Sequence, residues 1–212
     1  MLKIINELEG TLESEIISSI EKCYQNIQEK QNKWYKESSF FCPDNCGECC
    51  RNFEPDLLIS EALYMAAWLI ENQKDVAIKV CDGDFPFPQN KGCKFWNEDS
   101  PLHCTIYGGR PSICRLFGAC ANSGKNGQPV FKPCKFYPEE KLSKNNPPLQ
   151  HKQYSQKEVI QLFNTFPPVM SDLMEEIVCI DPENKNTELI HKILPEMVKR
   201  LLWILSMKKE SD

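Results

Sequence analysis

Basic residues are not in surplus in this chain: its 212 residues carry 25 Lys and Arg against 30 Asp and Glu, a net charge of −5. A protein that grips nucleic acid through its phosphates needs a basic surface, so nucleic-acid binding is not expected. Histidine is scarce, and His103, His151 and His191 are scattered, with no H-x-x-x-H pair to hold a catalytic zinc. No apolar run approaches the roughly 18 residues that cross a bilayer. Residues 1–20 carry acidic groups throughout, where a signal peptide would have an apolar core. The expectation is a cytoplasmic chain without membrane contact. There is also no internal repeat, no low-complexity linker, and no Gly-rich loop following a strand pattern that could cradle a nucleotide. The overall balance, 41% hydrophobic and 26% charged, is that of an ordinary globular protein.

What the chain does have is cysteine, twelve in all. Four of them, Cys42, Cys46, Cys49 and Cys50, fall within FCPDNCGECCR. In the cytoplasm structural disulfides are disfavoured, and cysteines this close together point to metal binding. A two-residue spacing such as Cys46-x-x-Cys49 lets the backbone curl until both sulfurs face one ion, which suits zinc and iron–sulfur centres alike. Gly47 is expected to help by accepting the positive φ that a metal-holding turn often requires. Thiol–disulfide chemistry without metal is the competing use of such a cluster.

The cluster sits between helices. Ile5, Leu8, Leu12, Ile16, Ile20, Tyr24 and Ile27 recur at steps of three and four, predicting one amphipathic helix from the start to about residue 30. Cys23 lies beside that stripe and reads as a small buried hydrophobe. Ser60 is placed to cap a helix running to about Gln73, with Leu63, Ala66, Ala67 and Ile70 on its apolar face and Met65 and Trp68 in the core. From Cys81 to Pro138, prolines and glycines break every period. So long an irregular stretch needs something other than apolar packing to hold it, and ligand bonds would serve. Asp82-Gly83-Asp84 in this stretch reads as a turn rather than a calcium loop.

Helices return after it. Ser155-x-x-Glu158 is a capping box for a helix that Pro167 and Pro168 end. Further helices are predicted over about 171–180, with Cys179 as a structural thiol, and over about 187–207, kinked or restarted at Pro195. The fold expected is mainly α, with helices flanking an irregular, cysteine-rich, metal-stabilised loop core. Its parts are an N-terminal helix (1–36), a cysteine-cluster domain (37–140) and a C-terminal helical extension (141–212) packed on it.

The second informative stretch is CTIYGGRPSICRLF, from Cys104. Pro111 suits the first position of a short helix. Cys114 then falls in the opening turn, where the helix dipole and Arg115 would favour a thiolate. Arg110 can hydrogen-bond the sulfurs or nearby carbonyls, or form a surface salt bridge.

Together the two stretches resemble the zinc- or iron-chelating cysteine-cluster family named for its CxxCxxCC signature. Cys46, Gly47, Cys49 and Cys50 match its first run. Cys93 matches its lone central cysteine, and Cys104, Tyr107, Arg110, Pro111, Cys114 and Arg115 its second block. Cys134 fits the final position, with Cys120 left over, and three residues separate Cys42 from Cys46 where the family has two. The resemblance spans about residues 41–137. It implies Cys42, Cys46, Cys49, Cys50, Cys93, Cys104, Cys114 and Cys134 as metal ligands and Tyr107, Arg110 and Arg115 as residues supporting them. The implied cofactor is an iron–sulfur cluster or zinc. His103, beside Cys104, could be an outlying ligand, although a loop histidine without a ligand role is the commoner case.

A more distant similarity, through the wider cysteine spacing, is to flagellin lysine-N-methylase. It implies an alternative function, S-adenosylmethionine-dependent protein lysine methylation with an iron–sulfur cluster in support. The vicinal pair Cys49-Cys50 adds a constraint of its own. Adjacent side chains diverge by about 100° on a helix and oppose each other on a strand, so one small ion is hard to reach from both. Eight thiols would complete two four-thiolate centres, or one cluster with thiols to spare, or one of the pair packs in the core.

Overall fold

The computed structural model describes residues 1–42, 46–88 and 91–209. Helices dominate it. The chain opens with α1 (Ile4–Glu7) and α2 (Leu12–Ser38), so the single helix expected over residues 1–30 is two. Gly10, at φ +80°, turns the backbone through a region that favours glycine, and the Thr11 side chain then accepts the Ser14 N–H as N-cap of α2. Leu12, expected in the apolar stripe, is exposed on the first turn of α2, while Glu13 turns inward to meet Arg200 in a two-pronged pair, 2.8 Å from its Nε and 2.6 Å from its Nη2.

After the short α3 (Glu48–Arg51) come β1 (Asp56–Leu57), α4 (Ile59–Asn72) and α5 (Lys74–Cys81). Ser60 lies inside α4 and does not cap it. Leu58 is the N-cap, and Ser60 instead exchanges hydrogen bonds with the buried Asn184. Asp82, Gly83 and Asp84 close the end of α5 through bonds back to Lys79 and Val80, the turn expected there. A 3₁₀ turn (Tyr107–Gly109), α6 (Ser112–Leu116), β2 (Asn122–Ser123) and β3 (Pro129–Phe131) punctuate the irregular stretch.

Then follow α7 (Glu139–Ser143), β4 (Tyr154–Ser155), α8 (Gln156–Phe163), α9 (Met170–Val178), β5 (Glu188–Leu189) and α10 (Ile190–Lys209). The capping box at Ser155 and Glu158 forms as expected. α8 ends before the prolines, at Asn164 in the left-handed region. α10 continues through Pro195 without restarting. Cys179 is exposed at the end of α9, because the helix stops at Val178 and its buried face is carried by Leu173 and Ile177.

Strand pairing is slight. β1 pairs antiparallel with β5, with Asp56 opposite Leu189, and β2-β3-β4 form an antiparallel ribbon. Each strand is two or three residues long, so the fold is mainly α. Among the described residues, no helix is long and apolar enough to cross a membrane.

The apolar residues divide into two cores. The larger joins the first half of α2 (Ile16, Ile17, Ile20) to α4 and α10, and takes Phe95, Ile106 and Leu116 from the irregular stretch. The smaller gathers Trp34, Phe40, Phe131, Leu142, Tyr154, Val159 and Phe163. Edge-to-face rings tie it, with Trp34 5.5 Å from Phe131 and 5.4 Å from Phe163. One helix, α2, contributes to both cores.

Candidate metal centre

Between the two cores lies a cavity of about 470 Å³, within the roughly 300–1,000 Å³ that cofactor and small-molecule sites occupy. Seven of the eight candidate cysteines line it: Cys42, Cys46, Cys49, Cys50, Cys104, Cys114 and Cys134. The eighth, Cys93, is buried behind the wall, where its backbone N–H donates to the Cys50 carbonyl at 3.2 Å. Cys120 is buried apart from the cavity lining, and Cys23 packs on the larger core. The sequence pattern had not pointed to Gln28, Gln31 and Tyr35, which complete a wall from α2. They stand at helical spacing of three and four, so continuing the period past residue 27 would have placed them on one face.

Local geometry explains how the thiols are held. α3 carries Cys49 and Cys50 in a single turn, with the Cys50 N–H bonded to the Gly47 carbonyl. Gly47 has φ −30°, not the positive angle expected. Its lack of a side chain matters for another reason: a Cβ there would fall 2.5 Å from the Cβ of His103. An isolated bridge between Trp96 and Cys104, with the Thr105 N–H on the Phe95 carbonyl, brings the Cys93 and Cys104 segments alongside each other.

Cys114 sits in the first turn of α6, whose N-cap is Pro111; the proline stands one position earlier than expected. The start of α6 is pinned by Glu61, whose Oε1 accepts from the Ser112 N–H and hydroxyl and from the Tyr24 hydroxyl. Nothing in the sequence marked Glu61, since a glutamate in the first turn of a helix looks the same whether it faces water or the interior.

The arginines take the supporting positions. Arg110 lies over the Tyr107 ring, 3.3 Å from its centroid, and its Nε donates to the Tyr107 carbonyl. Arg115 donates to the carbonyls of Arg110 and Gly108 and rests 4.1 Å over the Tyr24 ring. His103 holds its Nδ1 3.2 Å from the Asn97 carbonyl and stacks on Trp96.

Burial dominates the electrostatics. Although Cys42 as a residue is exposed, loss of water around its thiol pushes it up to about 12, helped by the Cys46, Cys134 and Cys49 thiols beside it. Cys93 also rises to about 12 through burial, with Cys104 adding to it. Burial raises Cys104, Cys114 and Cys134 as well, and Arg110 opposes the rise at Cys104 and Cys114. The hydrogen bond between Cys49 and Cys50 is the largest cause of the rise at Cys49. The thiolate expected of Cys114 from the helix dipole and Arg115 is therefore overridden by desolvation. A metal cation entering the cavity would supply the charge that displaces these protons.

The donor set fits a soft or borderline metal, because every candidate ligand is sulfur and two guanidinium groups stand by to offset thiolate charge. The thiols are gathered without being closed on a point: among the described residues, no three His, Cys, Asp or Glu side chains converge as ligands of one ion. The vicinal pair is closer than the sequence argument expected. Cys49 Sγ and Cys50 Sγ are 3.7 Å apart, near the edge of a tetrahedron with metal–sulfur bonds of about 2.3 Å.

A helical protein whose cysteines and arginines surround one interior cavity belongs, as a class, with the cysteine-rich metal-chelating proteins. The comparison with known families is more specific. The family described as "CxxCxxCC: Putative zinc- or iron-chelating domain" matches residues 41–159, more than half of the chain, and the chain belongs to it. No curated protein and no solved structure matches.

Proposed function

We propose that the protein holds its metal as iron–sulfur, with Cys42, Cys46, Cys49, Cys50, Cys93, Cys104, Cys114 and Cys134 as the thiolate set. One observation carries this reading: seven cysteines surround a cavity of about 470 Å³, yet no three described donors converge for a single ion. A polynuclear centre places inorganic sulfide and iron between its cysteines, so their sulfurs stay apart. A mononuclear tetrathiolate draws all four together. Tyr107, Arg110 and Arg115 support the set by orienting backbone carbonyls and offsetting negative charge. Twelve thiols are best kept in a reducing compartment, and we place the protein in the cytoplasm.

Zinc is the second reading, favoured by the Cys49–Cys50 separation of 3.7 Å, which suits two ligands of one tetrahedral ion. Lysine methylation draws no comparable support: among the described residues, the strands are two or three residues long and offer no strand, glycine loop and helix to hold a nucleotide cofactor.

Anaerobic purification followed by iron, sulfide and zinc analysis separates the readings. Broad visible absorption with bound iron and acid-labile sulfide is expected. A colourless protein with stoichiometric zinc replaces it with the second reading, and a protein without metal removes both.

A further inference from the structure

The eight candidate cysteines do not surround the cavity evenly. Cys93 is a member of the larger core, and Cys50 and Cys104 pack against that core. Cys114 rides on α6, whose Leu116 is buried in it and whose first turn is pinned by Glu61 of α4. The backbone draws the first three segments together: the Cys93 N–H on the Cys50 carbonyl, and the Trp96–Cys104 bridge. Gly92 makes the first contact possible, because a Cβ there would lie 2.5 Å from the carbonyl oxygens of Cys50 and Arg51.

Cys42 and Cys134 lie outside the larger core and near in sequence to residues of the smaller one. Phe40, two residues before Cys42, stacks on Tyr137 with ring centres 4.8 Å apart, and the Tyr137 N–H returns to the Cys134 carbonyl at 2.9 Å. Both rings belong to that core or pack on it. Cys46 directly precedes Gly47, the N-cap of α3, and stands at two-residue spacing from Cys49. Cys49 and Cys50 stand at the seam, adjacent in α3 with their sulfurs in contact.

We infer that the protein carries two four-thiolate metal centres, each seated on its own hydrophobic core: an outer centre of Cys42, Cys46, Cys49 and Cys134, and an inner centre of Cys50, Cys93, Cys104 and Cys114. The vicinal pair divides its sulfurs between them. This rests on the reading of the cysteines as an iron–sulfur thiolate set, because a zinc held by Cys49 and Cys50 together would not divide the pair. The centres differ in access, because Cys42 is exposed and Cys93 is buried. The outer one exchanges its metal with solvent and gives it up first.

The test uses the full chain, purified with its metal. Cys42→Ser and Cys134→Ser singly, and the two together, should each retain about half of the wild-type metal. Cys104→Ser should also retain half, and Cys134→Ser combined with Cys104→Ser should retain none. Should the inner variant fail to fold, chelator treatment of the wild type keeps the inference open to refutation. Metal should leave in two phases of equal amplitude, and alkylation with mass spectrometry should mark Cys42, Cys46, Cys49 and Cys134 in the first phase. A single variant that loses all metal overturns the two-centre arrangement, as does release in one phase with all eight thiols labelled together. A wild-type protein that carries no metal defeats the chelating reading itself, which is a different result.

Discussion

Glu61 accepts both the backbone N–H and the hydroxyl of Ser112 on a single carboxylate oxygen, at 2.7 and 2.6 Å, inside the protein. This joins α4, the central helix of the larger core, to the first turn of the helix that carries Cys114. The Tyr24 hydroxyl reaches the same oxygen from α2 at 3.1 Å, and Oε2 faces the Leu58 N–H at 3.4 Å. Replacement of Glu61 by Ala leaves these buried donors without their acceptor. The expected cost is about 3 kcal/mol, or a fall in melting temperature of roughly 6–12 °C for a chain of this size. Thermal denaturation of the metal-loaded variant checks it. Unchanged melting would mean that water or another side chain takes over the acceptor role.

Gly92→Ala tests the close approach between the Cys50 and Cys93 segments. The added methyl meets backbone carbonyls, which cannot swing aside as a side chain could. Overpacking of this kind costs about 1–3 kcal/mol. The expected result is a lower denaturation midpoint together with faster loss of metal to a chelator. Full metal retention would show that the two segments can separate without disturbing the ligands.

Cys120, outside the proposed ligand set, gives stability a pH dependence of its own. Burial alone pushes its thiol up to about 12 from an ordinary 9.0. The folded protein therefore keeps a proton that the unfolded chain releases between those values, so this contribution is complete below pH 9 and is lost as pH rises toward 12. Melting temperatures of metal-loaded wild type and Cys120→Ala, compared at about pH 8 and about pH 10.5, should fall more steeply for the wild type. Parallel slopes would mean that Cys120 ionises as easily in the folded protein as in the unfolded one.

Metal removal should loosen residues 93–134 more than the α2, α4 and α10 packing. The irregular segment contributes scattered apolar anchors such as Phe95, Ile106, Leu116 and Phe131, and ligand bonds would add to their hold. Hydrogen exchange before and after chelation measures this, and equal protection across 93–134 in both states would refute it.

Trp34 buries an indole N–H for which the structure gives no hydrogen-bond partner. Trp34→Phe removes that unpaired donor while keeping a ring near Phe131 and Phe163, and should change stability by less than about 1.5 kcal/mol. Trp34→Ala, which empties the centre of the smaller core, should cost about 3–5 kcal/mol. Chemical denaturation of the two variants provides the comparison.

The helices were legible because their apolar residues recur at the helical period and each buries one face: α4, α8, α9 and α10 are found where the sequence placed them, within a few residues. The break at Gly10 was less visible, since the stripe from Ile5 to Ile16 keeps its spacing across it. The cysteine patterns identified the family, and the structure gathers those thiols around one cavity. The grouping of thiols proposed above was not legible. It depends on Phe40 meeting Tyr137 and on Gly92 meeting Cys50, long-range contacts that no local spacing records. The separation of the vicinal pair was not legible either. Adjacent helical side chains do start in different directions, but cysteine is short and α3 a single turn, so the two sulfurs come to 3.7 Å.

α2 places Ile16, Ile17 and Ile20 in one core and Trp34 in the other, with Gln28, Gln31 and Tyr35 walling the cavity between them. The family match begins seven residues after Trp34, at residue 41. A polypeptide trimmed to the matched span would lose a side of the cavity and open both cores to water. The matched span is thus smaller than the piece its cores require: α1 and α2 before it, and α9 and α10 after it, all bury residues in the larger core.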